Sequence, residues 1–101
     1  FKLKKDGYTV VLAEDGRVAM QLLKDQEFDL VLTDLMLPFV NGNEIIEHIK
    51  NVNQEVPIIV LSTSTQEDII TDAFEMGVDD FITKPFSPSE LSLRVKRTLA
   101  K

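Results

Sequence analysis

The sequence predicts an α/β fold in which helices cover both faces of a parallel sheet. Short apolar runs of strand length alternate with segments of helical periodicity, and the connections between them are short. Such alternation leads to right-handed crossovers and parallel strands. The length of 101 residues and the hydrophobic content of 44% fit one domain with a single core.

The elements can be assigned in chain order from local signals. Residues 1–5 are typical of the end of a helix, which the basic segment before Gly7 would close. Apolar and β-branched runs bounded by turn residues predict strands at 8–13, 28–33, 56–61 and 80–83. Helical spacing of apolar residues predicts helices that begin near Asp15, Asn41, residue 66 and Pro88. Three polar pairs have the spacing of helix caps: Asn41 with Glu44, Ser64 with Glu67, and Ser87 with Glu90.

Composition excludes several classes of function. The net charge of −6 disfavours direct contact with nucleic acid or an anionic membrane, since both need a basic patch. The absence of cysteine excludes disulfides and thiolate chemistry and fits a reducing compartment, so a cytoplasmic location is expected. No apolar stretch has the length of a membrane span.

Three strands end in polar side chains that carry chemistry. Asp34 follows the strand 28–33, Ser62 follows 56–61, and Lys84 follows 80–83. Taken singly, Asp34 and Ser62 have structural explanations as a turn, cap or locally bonded residue, whereas a lysine between an apolar strand and Pro85 is poorly placed for simple solvation. Together they predict a site, because parallel strands bring their carboxyl ends to one edge of the sheet. An aspartate can be a nucleophile toward a phosphoryl donor, and a lysine beside it can neutralise phosphate charge.

The motifs around these residues resemble the receiver domains of two-component response regulators. The similar segments are Gly7-Tyr8, 13–16, 29–38, Asn41-Gly42, 57–62, 77–81 and 83–86. The resemblance implies a flavodoxin-like, doubly wound parallel sheet with strand order 2-1-3-4-5. It also implies that residues 1–101 are a receiver domain that is incomplete at its N-terminus.

The resemblance also implies the roles of individual residues. Asp34 would be the phospho-acceptor, Ser62 would bond the phosphoryl oxygens, and Lys84 would pair with them. The backbone carbonyl of Met36, together with Asp34, would bind Mg²⁺. Phe81 would be the aromatic switch that turns inward when Ser62 moves. The Lys84–Pro85 peptide bond would be cis.

The sequence departs from the family pattern at its start. The family's first strand, its acidic pair and most of the first helix are missing, roughly twenty residues in all. Glu14 and Asp15 would lie about 10 Å from the third strand, too far to replace the missing Mg²⁺ ligands at about 2.0–2.1 Å. We therefore expect a polypeptide beginning at Phe1 to bind Mg²⁺ weakly, and not to persist as a folded monomer.

The expected function is phosphorelay signalling rather than enzymatic turnover. A histidine kinase or phosphotransfer protein would phosphorylate Asp34, and the surface formed by the last two helices and the strand 80–83 would then control an output domain or downstream protein. The charged residues on that surface resemble part of a homodimer interface: Asp79, Asp80, Glu90 and Arg94. The main alternative is an interaction-only receiver that takes no phosphate. An aspartyl phosphatase would need an acid at position 36, and a flavodoxin-like nucleotide binder would need a glycine-rich phosphate loop.

Overall fold

A computed structural model describes residues 2–13, 15–34, 42–52, 55–63 and 66–100. The helices in these ranges are α1 (Lys2–Lys5), α2 (Gly16–Asp25), α3 (Gly42–Val52), α4 (Glu67–Glu75) and α5 (Pro88–Leu99). The strands are β1 (Val31–Asp34), β2 (Ile58–Ser62) and β3 (Asp80–Thr83). The alternation of strands and helices that the sequence predicts is therefore present from β1 onward. None of the helices in the described ranges has the length and apolar character needed to cross a membrane.

The three described strands form one parallel sheet in the order β1-β2-β3. Val31 lies opposite Ile58 in the first ladder, and Val60 lies opposite Phe81 in the second. Because all three strands run the same way, their carboxyl ends meet at one edge. The predicted parallel sheet is confirmed.

The core is divided between the two faces of the sheet. Successive side chains of a strand point to opposite faces, so Ile58 and Val60 pack with α3 and α4 while Ile59 packs with α5. The first cluster contains the buried residues Ile45, Ile46, Ile49, Ile58, Val60, Ala73, Val78 and Phe81. The second contains Ile59, Ile82 and Val95, with Leu3 of α1 packed against it. Helices thus cover both faces, as a doubly wound sheet requires.

Local chemistry explains where several helices begin. The Asp15 carboxylate accepts hydrogen bonds from the Arg17 and Val18 N–H groups at 2.8 and 3.1 Å. The Ser87 hydroxyl accepts one from the Glu90 N–H at 3.1 Å, with Pro88 in the first turn. The first agrees with the predicted helix start near Asp15, and the second confirms the predicted Ser87 cap.

The other two predicted caps have different outcomes. The Asn41–Glu44 pair lies partly outside the described residues, as does the Ser64–Glu67 pair. The second prediction was wrong in register, because Glu67 is the first residue of α4 and Gln66 occupies the N-cap, where its side chain makes no capping hydrogen bond.

Two glycines close helices. Gly7 follows α1 and Gly77 follows α4, and both have φ of +97°. Each ends its helix in a Schellman arrangement. The Tyr8 N–H donates to the Leu3 carbonyl at 3.1 Å, and the Gly77 N–H donates to the Phe74 carbonyl at 3.0 Å. The predicted stop at Gly7 is confirmed.

The predicted strand at 8–13 was wrong. Residues 8–13 are assigned no strand and join no ladder of the described sheet. A strand needs a hydrogen-bonded neighbour, and none of the described strands pairs with this segment. Val11 and Leu12 are consequently 44% and 61% exposed.

The predicted strand 28–33 also has different bounds. It begins only at Val31 and extends to Asp34, because the β2 ladder that pairs with it begins at Ile58. The Val31 N–H donates to the Pro57 carbonyl at 3.0 Å at this start. Residues 28–30 precede that ladder and are not part of the strand.

Candidate functional site at the carboxyl edge of the sheet

Asp34 and Lys84 form an ion pair across the carboxyl edge. Asp34 is the last residue of β1, and Lys84 directly follows β3. The Lys84 Nζ donates to Asp34 Oδ2. Since β2 lies between these strands, their backbones are about 10 Å apart, and the long lysine side chain closes the distance. The Lys84 side chain is 36% exposed and the Asp34 side chain is 26% exposed, so the pair is accessible from solvent.

Ser62 lies at the end of the intervening strand. Its side chain is buried, and its carbonyl accepts a hydrogen bond of 2.7 Å from the Lys84 N–H. The ladder places it opposite Thr83, next to Lys84 in sequence. The structure therefore brings together the acid, the hydroxyl residue and the cation that the sequence singled out, although their roles in phosphoryl transfer stay predictions.

Thr33 is a further residue of this edge, and its place in the site was not predicted from the sequence. It is buried, and its hydroxyl donates to the Asp34 carbonyl at 3.1 Å. This bond satisfies the backbone carbonyl of the proposed acceptor. The sequence does show a hydroxyl residue next to the last position of an apolar strand. Threonine is common in strands, however, so this position alone does not indicate a functional site.

Phe81 lies inside the core and not at the edge itself. Its side chain is buried in the cluster that faces α3 and α4, and its N–H donates to Asp80 Oδ1 at 2.8 Å. Three residues further along, the Lys84–Pro85 peptide bond is cis, as predicted. The structure holds one position of the Phe81 ring, so its switching stays a prediction.

The described residues do not by themselves supply a Mg²⁺ site. Asp34 offers the hard oxygen ligand that Mg²⁺ prefers. However, no group of three or more histidine, cysteine, aspartate or glutamate residues is placed to hold a metal within the described ranges. Asp15 caps α2, and Glu14 and Met36 lie outside the described residues. Any Mg²⁺ bound at Asp34 would need further ligands.

The charged residues suggested for a dimer surface bond within the chain. The Asp79 carboxylate accepts from the Ile58 N–H at 2.9 Å, while the Asp79 N–H donates to the Ile58 carbonyl at 2.8 Å. Arg94 Nη1 donates to both Asp80 oxygens at 2.8 and 3.0 Å. Arg94 also lies 3.6 Å from Glu90. The hydrogen bond that Arg94 donates to Asp80 is the main reason that the pKa of Arg94 is raised.

Comparison with solved structures identifies the fold. The non-phosphorylated HemR receiver domain from Leptospira biflexa aligns with a TM-score of 0.92 and 32% identity, over 99% of this chain and 81% of that chain. The receiver domain of the Francisella response regulator 1452 aligns with a TM-score of 0.90 and 29% identity, over 98% and 82%.

A third neighbour is the receiver domain of a sensor histidine kinase from Pseudomonas aeruginosa. It aligns with a TM-score of 0.87 and 28% identity, over 99% of this chain and 84% of that chain, and is described with a magnesium ion coordinated in its active-site cleft. The fold is thus the flavodoxin-like receiver fold. The sequence pattern of the response regulator receiver domain matches residues 2–96. The chain belongs to that family.

Proposed function

We propose that the chain acts in a phosphorelay, with Asp34 as phospho-acceptor for a histidine kinase or phosphotransfer protein. The observation that supports this proposal is the Asp34–Lys84 ion pair, in which a carboxylate lies beside an ammonium group at a solvent-accessible edge. A carboxylate held in this way is suited to in-line attack on phosphorus. Residues 1–101 would belong to one such receiver domain, and a cytoplasmic location would fit a kinase partner.

The described residues have distinct proposed roles in the transfer. An Asp34 carboxylate oxygen forms a bond to phosphorus as the P–N bond of phosphohistidine breaks. The departing imidazole keeps the proton on its other ring nitrogen and therefore leaves as a neutral group. Lys84 stays near Asp34 and neutralises the negative charge that the phosphoryl group brings. The Ser62 hydroxyl would donate to a phosphoryl oxygen once it turns toward the new group. Met36 and Mg²⁺ keep the roles that the family resemblance implies.

Signalling would follow from the change of charge at the carboxyl edge. Movement of Ser62 toward the phosphoryl group would leave space that the Phe81 ring can enter. Both residues lie on neighbouring strands whose ends contact the site. The proposed output is a rearranged surface of α4, β3 and α5, a local charge event that biases a two-state element. That surface would then bind an output domain, a downstream protein or a second copy.

The test is phosphoryl labelling of Asp34. Because the described carboxylates form no metal-holding group, the chain is joined to an N-terminal strand bearing paired carboxylates and incubated with acetyl phosphate and Mg²⁺. We expect one acyl phosphate, located at Asp34 by mass spectrometry and lost in Asp34→Asn. Asp29→Asn is the matched control, since Asp29 is exposed and precedes the same strand.

Two outcomes would contradict the proposal. Label on another residue, with Asp34 unmodified, would overturn the assignment of the acceptor. A folded protein that takes no label from acetyl phosphate or from a phosphohistidine donor would favour the alternative, an interaction-only receiver.

A further inference from the structure

The carboxylate of Asp80 connects the residue proposed as the switch to helix α5. Oδ1 of Asp80 accepts from the Phe81 N–H at 2.8 Å and from Arg94 Nη1 at 2.8 Å. Oδ2 accepts from the same guanidinium nitrogen at 3.0 Å. One side chain therefore holds the backbone of Phe81 and the middle of α5 at once. Charge-assisted bonds of this length are among the stronger hydrogen bonds in proteins.

The geometry of β3 explains why this carboxylate reaches α5. Alternate residues of a strand share a face, so Asp80 projects with Ile82 and away from Phe81. Ile82 and Val95 belong to the same buried cluster. Arg94 precedes Val95 on α5, so a polar contact lies beside the apolar one. The polar contact is placed where β3 begins, and Lys84 follows the other end of the strand.

Arg94 has both an alternative partner and room to move. Glu90, one helical turn earlier, lies 3.6 Å from its second nitrogen. A cavity of about 180 Å³ lies beside the guanidinium and is lined by Asp79, Asp80, Arg94, Arg97 and Thr98. The Arg94 side chain is one-third exposed. The contact with Asp80 can therefore open without creating a buried unpaired charge, which would be costly.

We propose that Arg94 and Asp80 form a clamp that positions Phe81 and couples its movement to α5. Arg94 is a positioning residue, since it acts on Phe81 through the Asp80 carboxylate. Movement of Phe81 that displaces its backbone N–H would weaken the hydrogen bond to the Asp80 carboxylate, which Arg94 also holds. Transfer of Arg94 from Asp80 to Glu90 would then free α5 from its polar contact with β3. This inference rests on the proposed function in assigning Phe81 as the switch, but the coupling itself can be measured without phosphate.

The experiment follows Phe81 by fluorine NMR in the chain joined to the N-terminal strand with paired carboxylates, as in the labelling test. The six phenylalanines are replaced biosynthetically with 4-fluorophenylalanine, and the Phe81 signal is assigned by its loss in Phe81→Leu. Arg94→Gln removes the clamp's charge. Arg97→Gln is the matched control, because Arg97 is on the same helix and lines the same cavity, whereas the bonds to Asp80 come from Arg94.

We expect Arg94→Gln to shift the Phe81 signal and to raise the population of a second ring position about threefold to tenfold, the effect of losing one hydrogen bond of ordinary strength at a site where solvent screens the charges. Asp80→Asn should give a smaller change, because its amide oxygen can still accept from the Phe81 N–H. It also provides a second variant if Arg94→Gln does not fold. Arg97→Gln should leave the signal unchanged.

Two results would overturn the clamp: an unchanged Phe81 signal in the folded Arg94 and Asp80 variants, or an equal change in Arg97→Gln. Failure of the clamp is distinguishable from failure of the proposed function. Loss of Asp34 labelling would refute phosphoryl acceptance and leave the fluorine comparison intact. Normal labelling with an unresponsive Phe81 signal would refute only the clamp.

Discussion

Replacing Lys84 with alanine should separate a chemical role for this lysine from a structural one. The substitution removes the cation that pairs with Asp34. Both side chains are at least a quarter exposed, so solvent screens the pair and the loss of unfolding free energy should be about 1 kcal/mol. For a domain of this size that corresponds to a fall in Tm of about 4–8 °C.

The effect on phosphoryl transfer should be much larger. A unit charge about 4 Å from the developing phosphoryl charge contributes about 4 kcal/mol at an effective dielectric constant of about 20. Water entering the site would recover part of this, so we expect a loss of about 100-fold in the rate of Asp34 labelling, similar to the loss of one preorganised donor elsewhere. The rate is measured with acetyl phosphate in the chain joined to the acidic strand, and stability by thermal unfolding.

Lys96→Ala is the matched control, because Lys96 is exposed on α5. Its labelling rate and Tm should both stay near those of the parent. The reasoning about Lys84 fails if Lys84→Ala unfolds most of the protein while the molecules that remain folded label at the parental rate. Lys84 would then be a residue of the fold rather than of the reaction.

The remaining predictions concern the fold. Ser87→Ala should lower the unfolding free energy by about 1 kcal/mol through loss of the α5 cap, whereas Ser89→Ala, in the same first turn, should change it by less than about 0.5 kcal/mol in urea unfolding. Gly77→Ala should lower it by about 1–2 kcal/mol because φ is positive and because a Cβ there would lie 3.1 Å from Lys50 Cε. Gly7→Ala shares that φ, but its Cβ would meet no neighbouring atom, so an equal or larger loss there would contradict a contribution from crowding at Gly77. A polypeptide of the 101 residues alone should associate, because segment 8–13 exposes apolar residues and joins no described ladder; monomeric mass in light scattering with one cooperative thermal transition would show this to be wrong.

The parts of the fold that depend on local chemistry were predictable from the sequence. The Ser87 cap, the Gly7 stop and the strand 80–83 all follow from side chains within a few residues of the feature. The convergence of Asp34 and Lys84 was predictable too, because it needs only strand ends and a parallel sheet. The strand at 8–13 could not be settled in this way, since a strand exists only when another strand pairs with it.

Contacts between charges that are distant in the sequence were the other feature that could not be predicted. The charges of Asp80 and Arg94 resembled those of an interface between copies, but the structure pairs them within one chain. Asp79 likewise bonds the Ile58 backbone, a partner that no sequence pattern indicates. A charged pair has the same appearance in a sequence whether its two members meet across a helix and a strand or across two molecules.

Strand β2 is bonded on both sides, to β1 and to β3, and its side chains belong to both core clusters. Its backbone amides therefore lose their partners only when the sheet opens as a whole. In hydrogen–deuterium exchange the interior of Ile58–Ser62 should be the slowest segment and report the free energy of global unfolding, while α1 and residues 8–13 exchange through local opening. The residue that ends this strand is Ser62, so the hydroxyl at the candidate site is attached to the least mobile part of the sheet.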